Sequence, residues 1–193
     1  SACVELGTSI AGGHTEISDA VNRFILTATA VGFASGELIK SNGARPGDSL
    51  IMTKTAGLEG TAIIAGDFPD RVSGCLSSDE LEVAKSMIDQ ISVVPEGLCG
   101  SKTGVHAMHD VTEGGIMGAA WEMAEAAGLG VEIKRDSILV DDLTLRVCKH
   151  LAIDPYRLIS SGSMLMATDK PDILLSALAS EGIAAAEIGR FTN

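Results

Sequence analysis

One stretch limits what this chain can fold into more than any other: His106-Ala107-Met108-His109-Asp110-Val111-Thr112-Glu113-Gly114-Gly115, with an amphipathic helix directly behind it. A short apolar strand over residues 105–108 delivers an acid, a hydroxyl and two glycines to a helix start. Unpaired N–H groups and the positive end of the helix dipole point outward there and favour a bound phosphate. Gly114 and Gly115 remove the side chains that would hold a ligand off that backbone. Asp110 offers the hard oxygen that Mg²⁺ prefers. An Asp or Thr before a helix also serves as a simple cap, and paired glycines serve as a tight turn. Asp110 and Thr112 together are one polar residue more than a cap requires, which favours a ligand.

Elements alternate along most of the chain. Strands are expected at 49–53, 105–108, 131–133, 158–167 and 184–188. Helices are expected behind the glycine-rich loop at 57–65, at 78–91 with Ser78 as cap and Glu80 and Glu82 near its positive end, and at 114–127 ended by Gly128. Two more are expected at 143–151, stopping before Asp154-Pro155, and at 171–180, closed by Gly182. Before these, residues 9–17 read as a strand broken by a glycine pair, and residues 23–31 as a strand too apolar for a wet face; the two are expected to pair. Ser41-Asn42-Gly43-Ala44-Arg45-Pro46-Gly47-Asp48 is dense in turn formers. The expected organisation is therefore residues 1–35, a linker at 36–48 and a domain at 49–193, of class α+β with a mixed sheet packed by helices.

Charge narrows the partners. The chain carries a net charge of −12 and no Lys/Arg-rich face, which argues against nucleic acid or an anionic membrane surface. An acidic protein that binds a polyphosphate needs a cation between the two, so Mg²⁺–nucleotide is favoured over a free anion. No apolar stretch approaches the ~20 residues of a membrane helix. Cys3, Cys75, Cys99 and Cys148 lack zinc-ligand spacing and read as free thiols in a reducing cytoplasm. The chain starts at Ser1 in mid-pattern without a leader and reads as a fragment.

Three further motifs contain polar groups. Gly12-Gly13-His14-Thr15-Glu16 sets three of them beside a glycine pair, as a ligand loop or a bulge would. Thr53-Lys54-Thr55-Ala56-Gly57-Leu58-Glu59-Gly60-Thr61 has its Lys ahead of the glycines, unlike a P-loop, and Lys54 reads as solvated. Ser160-Ser161-Gly162-Ser163 sits in the expected strand at 158–167, where glycine suggests a close approach to the backbone; it lacks the Gly-x-Ser-x-Gly nucleophile pattern. His106, His109 and His150 read as structural or exposed.

In this order, the His14, Arg45-Pro46-Gly47-Asp48, Asp110 and Ser160–Ser163 motifs resemble the PurM-like superfamily. That superfamily contains aminoimidazole ribonucleotide (AIR) synthase, selenophosphate synthetase, thiamine-monophosphate kinase and the hydrogenase-maturation protein HypE. Asp110 and Ala152-Ile153-Asp154-Pro155 look most like the HypE and AIR-synthase-related branch. The resemblance implies the C-terminal portion of such a protein, preceded by the last strands of its N-terminal half up to about residue 35. It implies ATP and Mg²⁺ as cofactors, an amide or carbamoyl substrate, a homodimer, a maturation partner protein and a cytoplasmic location. By the same resemblance Asp110 is the metal ligand, and Gly13, His14, Thr15, Thr112, Gly114 and Gly115 lie near the phosphates. His14 stands where HypE proteins have Asp, as in selenophosphate synthetase, and Ser160–Ser163 replaces a HypE Asn-Glu-Gly stretch. The alternatives are another superfamily enzyme or a scaffold relative without catalysis.

Overall fold

The computed structural model describes residues 2–34 and 36–193. The chain divides into two compact units, Ser1–Gly36 and Glu37–Asn193. No helix among the described residues is long and apolar enough to cross a membrane.

In the first unit the helix α1 (Ala2–Glu5) is followed by a turn in which Thr8 N–H donates to the Cys3 carbonyl at 2.8 Å. Residues 8–34 form no regular element. The expected strands at 9–17 and 23–31 are therefore absent: Phe24, Leu26, Val31 and Phe33 are almost fully exposed. The composition there favours a strand, but a ladder needs a second backbone, and none pairs with these residues.

The second unit is built on five strands in the order β2-β4-β1-β5-β3. They are β1 (Ser49–Thr53), β2 (Ala107–Asp110), β3 (Gly130–Ile133), β4 (Met164–Thr168) and β5 (Ala185–Thr192). Every pairing is antiparallel, which corrects the expected mixed sheet. Strands consecutive in the chain are never neighbours in the sheet, so β1, β2 and β3 run one way and β4 and β5 run between them the other way. The ends of β1 and β2 and the starts of β4 and β5 thus share one edge of the sheet.

Both faces of the central strands are covered. Leu50, Met52, Leu165 and Ala167 point to α6 (Gly115–Ala127), whose Ile116, Ala119, Ala120, Met123 and Ala124 form one buried stripe at helical spacing. Gly128 ends α6 with φ 67°. Ile51 and Met166 face the other way, toward Leu174 and Leu178 of α8 (Pro171–Ser180) and Cys99 of α5 (Val94–Thr103). A satellite cluster joins α2 (Leu58–Asp67), α3 (Pro69–Val72), α4 (Ser78–Ser86) and α7 (Asp142–Leu151) through Ala65, Val72, Ala84 and Val147.

Boundaries differ from expectation for identifiable reasons. The helix expected over 78–91 stops at Ser86 and tightens into a 3₁₀ turn at Met87–Gln90, and its cap is Ser77, not Ser78. Ser77 and Glu80 form a reciprocal capping box. The strand expected from 158 begins only at Met164. The helix α5 was not expected: its Pro95, Gly97 and Gly100 resemble a loop, yet Gly100 lets Met108 and Met166 pack, a Cβ there standing 2.7 Å from Met108 Sδ.

Glu80 also ties α4 to α7. Arg146 donates to its carboxylate through Nη1 at 2.6 Å and Nη2 at 2.9 Å, and holds the Glu80 pKa down to about 2 from its ordinary 4.5. A depressed carboxyl stabilises the fold above its unfolded pKa, and that contribution fades as pH falls from about 4.5 toward 2. The melting-temperature gap between the native chain and Glu80→Gln is expected to be constant above pH 5 and to narrow below 4.5. A pH-independent gap would show that the pairing has no folded-state preference.

Candidate functional site

Three loops meet at the sheet edge where β1 and β2 end and β4 begins: residues 53–57, residues 110–115 and residues 156–163. Hydrogen bonds lock them together. Val111 N–H donates to the Ser163 carbonyl at 3.0 Å, and Ser163 Oγ donates to the Thr55 carbonyl at 2.8 Å. Gly57 N–H donates to Ser160 Oγ at 2.6 Å, and Met164 N–H to Thr53 Oγ1 at 3.0 Å. Ser160 and Ser163 are buried, so their hydroxyls replace water for these backbone groups. The serine motif is thus a turn ahead of β4 rather than part of it. Gly162 (φ 104°) is there because a Cβ would stand 2.9 Å from the Gln90 carbonyl.

Lys54 corrects its solvated reading. Its side chain is 19 % exposed, and Nζ contacts the Gln90 carbonyl at 2.9 Å, the Ser92 carbonyl at 2.7 Å and Glu96 Oε1 at 2.7 Å. Glu96, on α5, is fully buried, and Oε2 has no hydrogen-bond partner among the described residues. The ammonium alone neutralises that carboxylate. Lys54 holds φ 52°, a left-handed conformation costing roughly 1–2 kcal/mol for a residue with a Cβ, which its three contacts offset. Glu96 was missed in the sequence because an acid in the first turn of a helix ordinarily faces solvent.

The turn at the α6 start gathers four of the expected site residues. Asp110 ends β2 with its side chain 60 % exposed, 3.6 Å from His109 Nδ1, while His109 Nε2 lies 2.8 Å from Glu122 of α6. Thr112 is half-buried, and its carbonyl accepts from Gly115 N–H at 3.2 Å. Gly114 is exposed at φ 82° and Gly115 buried at φ 61°. A Cβ on Gly115 would stand 2.6 Å from the Tyr156 carbonyl, which itself accepts from Met117 N–H at 3.1 Å. Part of the helix's donor set is therefore taken by the chain's own loop. Asp110 can supply one oxygen to Mg²⁺, which suits an ion that keeps waters and phosphates as its other ligands. No group of three or more potential ligands is clustered for a metal among the described residues. Gly13, His14 and Thr15 lie in the first unit and are exposed, with His14 Nε2 3.8 Å from Glu16.

His106 makes a second polar cluster on the same sheet. Its Nδ1 lies 2.9 Å from buried Asp48, and Arg45 Nη1 lies 3.0 Å from its Nε2. Because the guanidinium can only donate, Nε2 accepts and Nδ1–H donates to Asp48. These contacts fasten residues 45–48 to the strand side of His106 and are structural.

Comparison with known proteins gives a consistent result. Residues 45–193 match the family described as AIR synthase related protein, C-terminal domain. A protein of Methanocaldococcus jannaschii named for hydrogenase expression/formation is 30% identical over 169 residues, 87% of this chain and 48% of its own length. Carbamoyl dehydratase HypE of Cupriavidus necator is 28% identical over 179 residues, 90% of this chain and 49% of its own. A structure of the hydrogenase maturation protein HypE in complex with ATP matches with TM-score 0.60 at 21% identity, over 80% of this chain and 47% of that one. The chain thus spans about half the length of these relatives.

Two substitutions test the construction of this edge. Lys54→Met leaves the Glu96 carboxylate buried and unpaired and is expected to cost about 3–5 kcal/mol in urea unfolding, much of it recovered by the double variant Lys54→Met/Glu96→Met. A single-variant loss below about 1 kcal/mol would show that the pair does not organise the edge. Gly115→Ala meets both a positive φ and the backbone of residues 156–158, and is expected to lower stability more than Gly114→Ala, whose Cβ has its nearest neighbour at 3.3 Å.

Proposed function

Because the chain belongs to the AIR synthase related protein family, by its C-terminal domain, we propose that it is the C-terminal part of a HypE-like, ATP-dependent protein of hydrogenase maturation. The observation that carries this reading is the edge where Asp110, Thr112 and Gly114 open a helix beside the Ser160–Ser163 turn, on a fold shared with a HypE that binds ATP. In this reading Asp110 holds Mg²⁺ on the nucleotide phosphates, and the exposed backbone at Gly114 faces a phosphate. Gly13, His14 and Thr15 are the phosphate-side residues contributed by the first unit. Mg²⁺, when bound, neutralises phosphate charge that a chain of net charge −12 would otherwise repel.

The chemistry proposed is that implied by the likeness to carbamoyl dehydratase HypE. A carbamoyl oxygen attacks the γ-phosphorus; the new P–O bond forms as the bond to ADP breaks. One N–H proton leaves as the oxygen is phosphorylated, and loss of that phosphate with the second N–H proton then leaves a nitrile. The chain's own contribution is positioning and electrostatics, as in phosphoryl transfer generally. The proposed assembly is a homodimer working with a maturation partner protein in the cytoplasm, and the exposed apolar run at 23–31 is the surface proposed for self-association.

Calorimetric titration of Mg–ATP into the longest gene product that carries this chain, native beside Asp110→Asn, tests the reading. Binding weakened at least about tenfold in the variant, a difference of about 1.4 kcal/mol, is the expected result. Equal binding would show that Asp110 does not hold the metal, and no binding in either would favour a scaffold. Sedimentation of the 193-residue chain as a clean monomer at high concentration would remove the self-association.

A further inference from the structure

A concave surface of about 530 Å³ lies away from the sheet edge, between the turn that follows α3 and the last turns of α7. Cys75, Arg146, Lys149 and His150 line it. Its walls are fixed from both sides. Cys75 N–H donates to the Val72 carbonyl at 3.0 Å, and Arg146 Nη2 donates to the Cys75 carbonyl. Gly74 makes room for the imidazole: a Cβ there would stand 3.2 Å from His150 Cε1. The acids that act on Arg146 are Glu80, which accepts two of its hydrogen bonds, and Asp142, one turn earlier on α7. Lys149 and His150 are exposed and have no ion-pair partner among the described residues.

Cations in a last turn are ordinarily explained by the negative end of the helix dipole. That accounts for Lys149 and His150 on an open helix but not for a concavity bordered on its other side by residues 74–75. In a chain with 26 acidic and 14 basic residues, the Lys149 ammonium, without an ion-pair partner among the described residues and beside the His150 N–H donor in a cavity of ligand size, is where an anion gains most. We propose that this cavity binds a small anionic ligand through a carboxylate or phosphate group held by Lys149 and His150, with Arg146 fixed by Glu80 as its floor. The thiols differ in a way that makes the site readable. Burial raises the Cys148 pKa to about 11 and pushes Cys99 up as well, whereas Cys75 borders the cavity.

The test is a titration of the ¹⁵N-labelled chain with inorganic phosphate and, separately, with citrate, against sodium chloride at matched ionic strength. Saturable shifts at Gly74, Cys75, Lys149 and His150 are expected in the millimolar range, about 1–10 mM. They should weaken at least about fivefold in Lys149→Gln/His150→Gln, both exposed positions where folding is preserved. Saturation by phosphate alone selects a phosphate-bearing ligand, and by citrate alone a carboxylate. Saturating anion should also slow labelling of Cys75 by N-ethylmaleimide. Shifts no different from chloride, saturable shifts that the double variant keeps, saturation centred on residues 114–117 instead, or unchanged Cys75 labelling would each overturn the site.

Discussion

The sheet edge depends on one ammonium group. Lys54 leaves β1 in a left-handed conformation and places Nζ where two carbonyls and a buried carboxylate converge. Among the described residues Glu96 has no other cation, so α5 docks where Lys54 meets it. Fixing residues 90–92 in turn leaves room for Gly162 and nothing larger, and this sets the path of the serine turn into β4. With Glu96 Oε2 left without a hydrogen-bond partner, the buried carboxylate depends on its ion pair with Lys54, and losing either partner costs the edge its geometry. That geometry matters because the opposite side of that edge carries the exposed Asp110 and Gly114.

Strand order explains why residues far apart in sequence meet there. Each connection between consecutive strands skips at least one neighbour, so the carboxyl ends of β1 and β2 flank the start of β4. Alternation of strands and helices in the sequence is compatible with parallel or antiparallel sheets alike. What separates them here is the interleaving of β4 and β5, and no local pattern encodes that.

The parts of the fold legible in the sequence are those whose cause is local. The α6 stripe, its Gly128 stop and the Pro171 start of α8 are written in periodicity and caps. Where the cause lies elsewhere, the same rules fail. Residues 23–31 have strand composition, yet pairing needs a partner backbone and they have none. Gly100 and Gly60 look like loop residues but are packing glycines: a Cβ at Gly60 would stand 2.4 Å from Leu158 Cγ. Lys54 and Glu96 are each ordinary surface residues by type, and only the crossing of β1 and α5 makes them a pair. In the candidate site, the grouping of Asp110, Thr112, Gly114 and Gly115 was legible because four residues of one turn cannot separate. Their division of labour was not.

That division changes what the glycine pair means. Gly115 is explained without any ligand, since the backbone of residues 156–158 occupies the space its side chain would need. The Tyr156 carbonyl takes the Met117 N–H as well, so the helix start offers fewer free donors than a bare N-terminus. A phosphate reading therefore rests on Gly114, which has no such packing reason to be exposed at positive φ, and on Asp110. With few donors there and a net charge of −12 on the whole chain, backbone dipoles alone do not balance a triphosphate. In the proposed reading the compensating charge comes from a divalent cation held by Asp110, whose side chain is 60 % exposed beside that backbone.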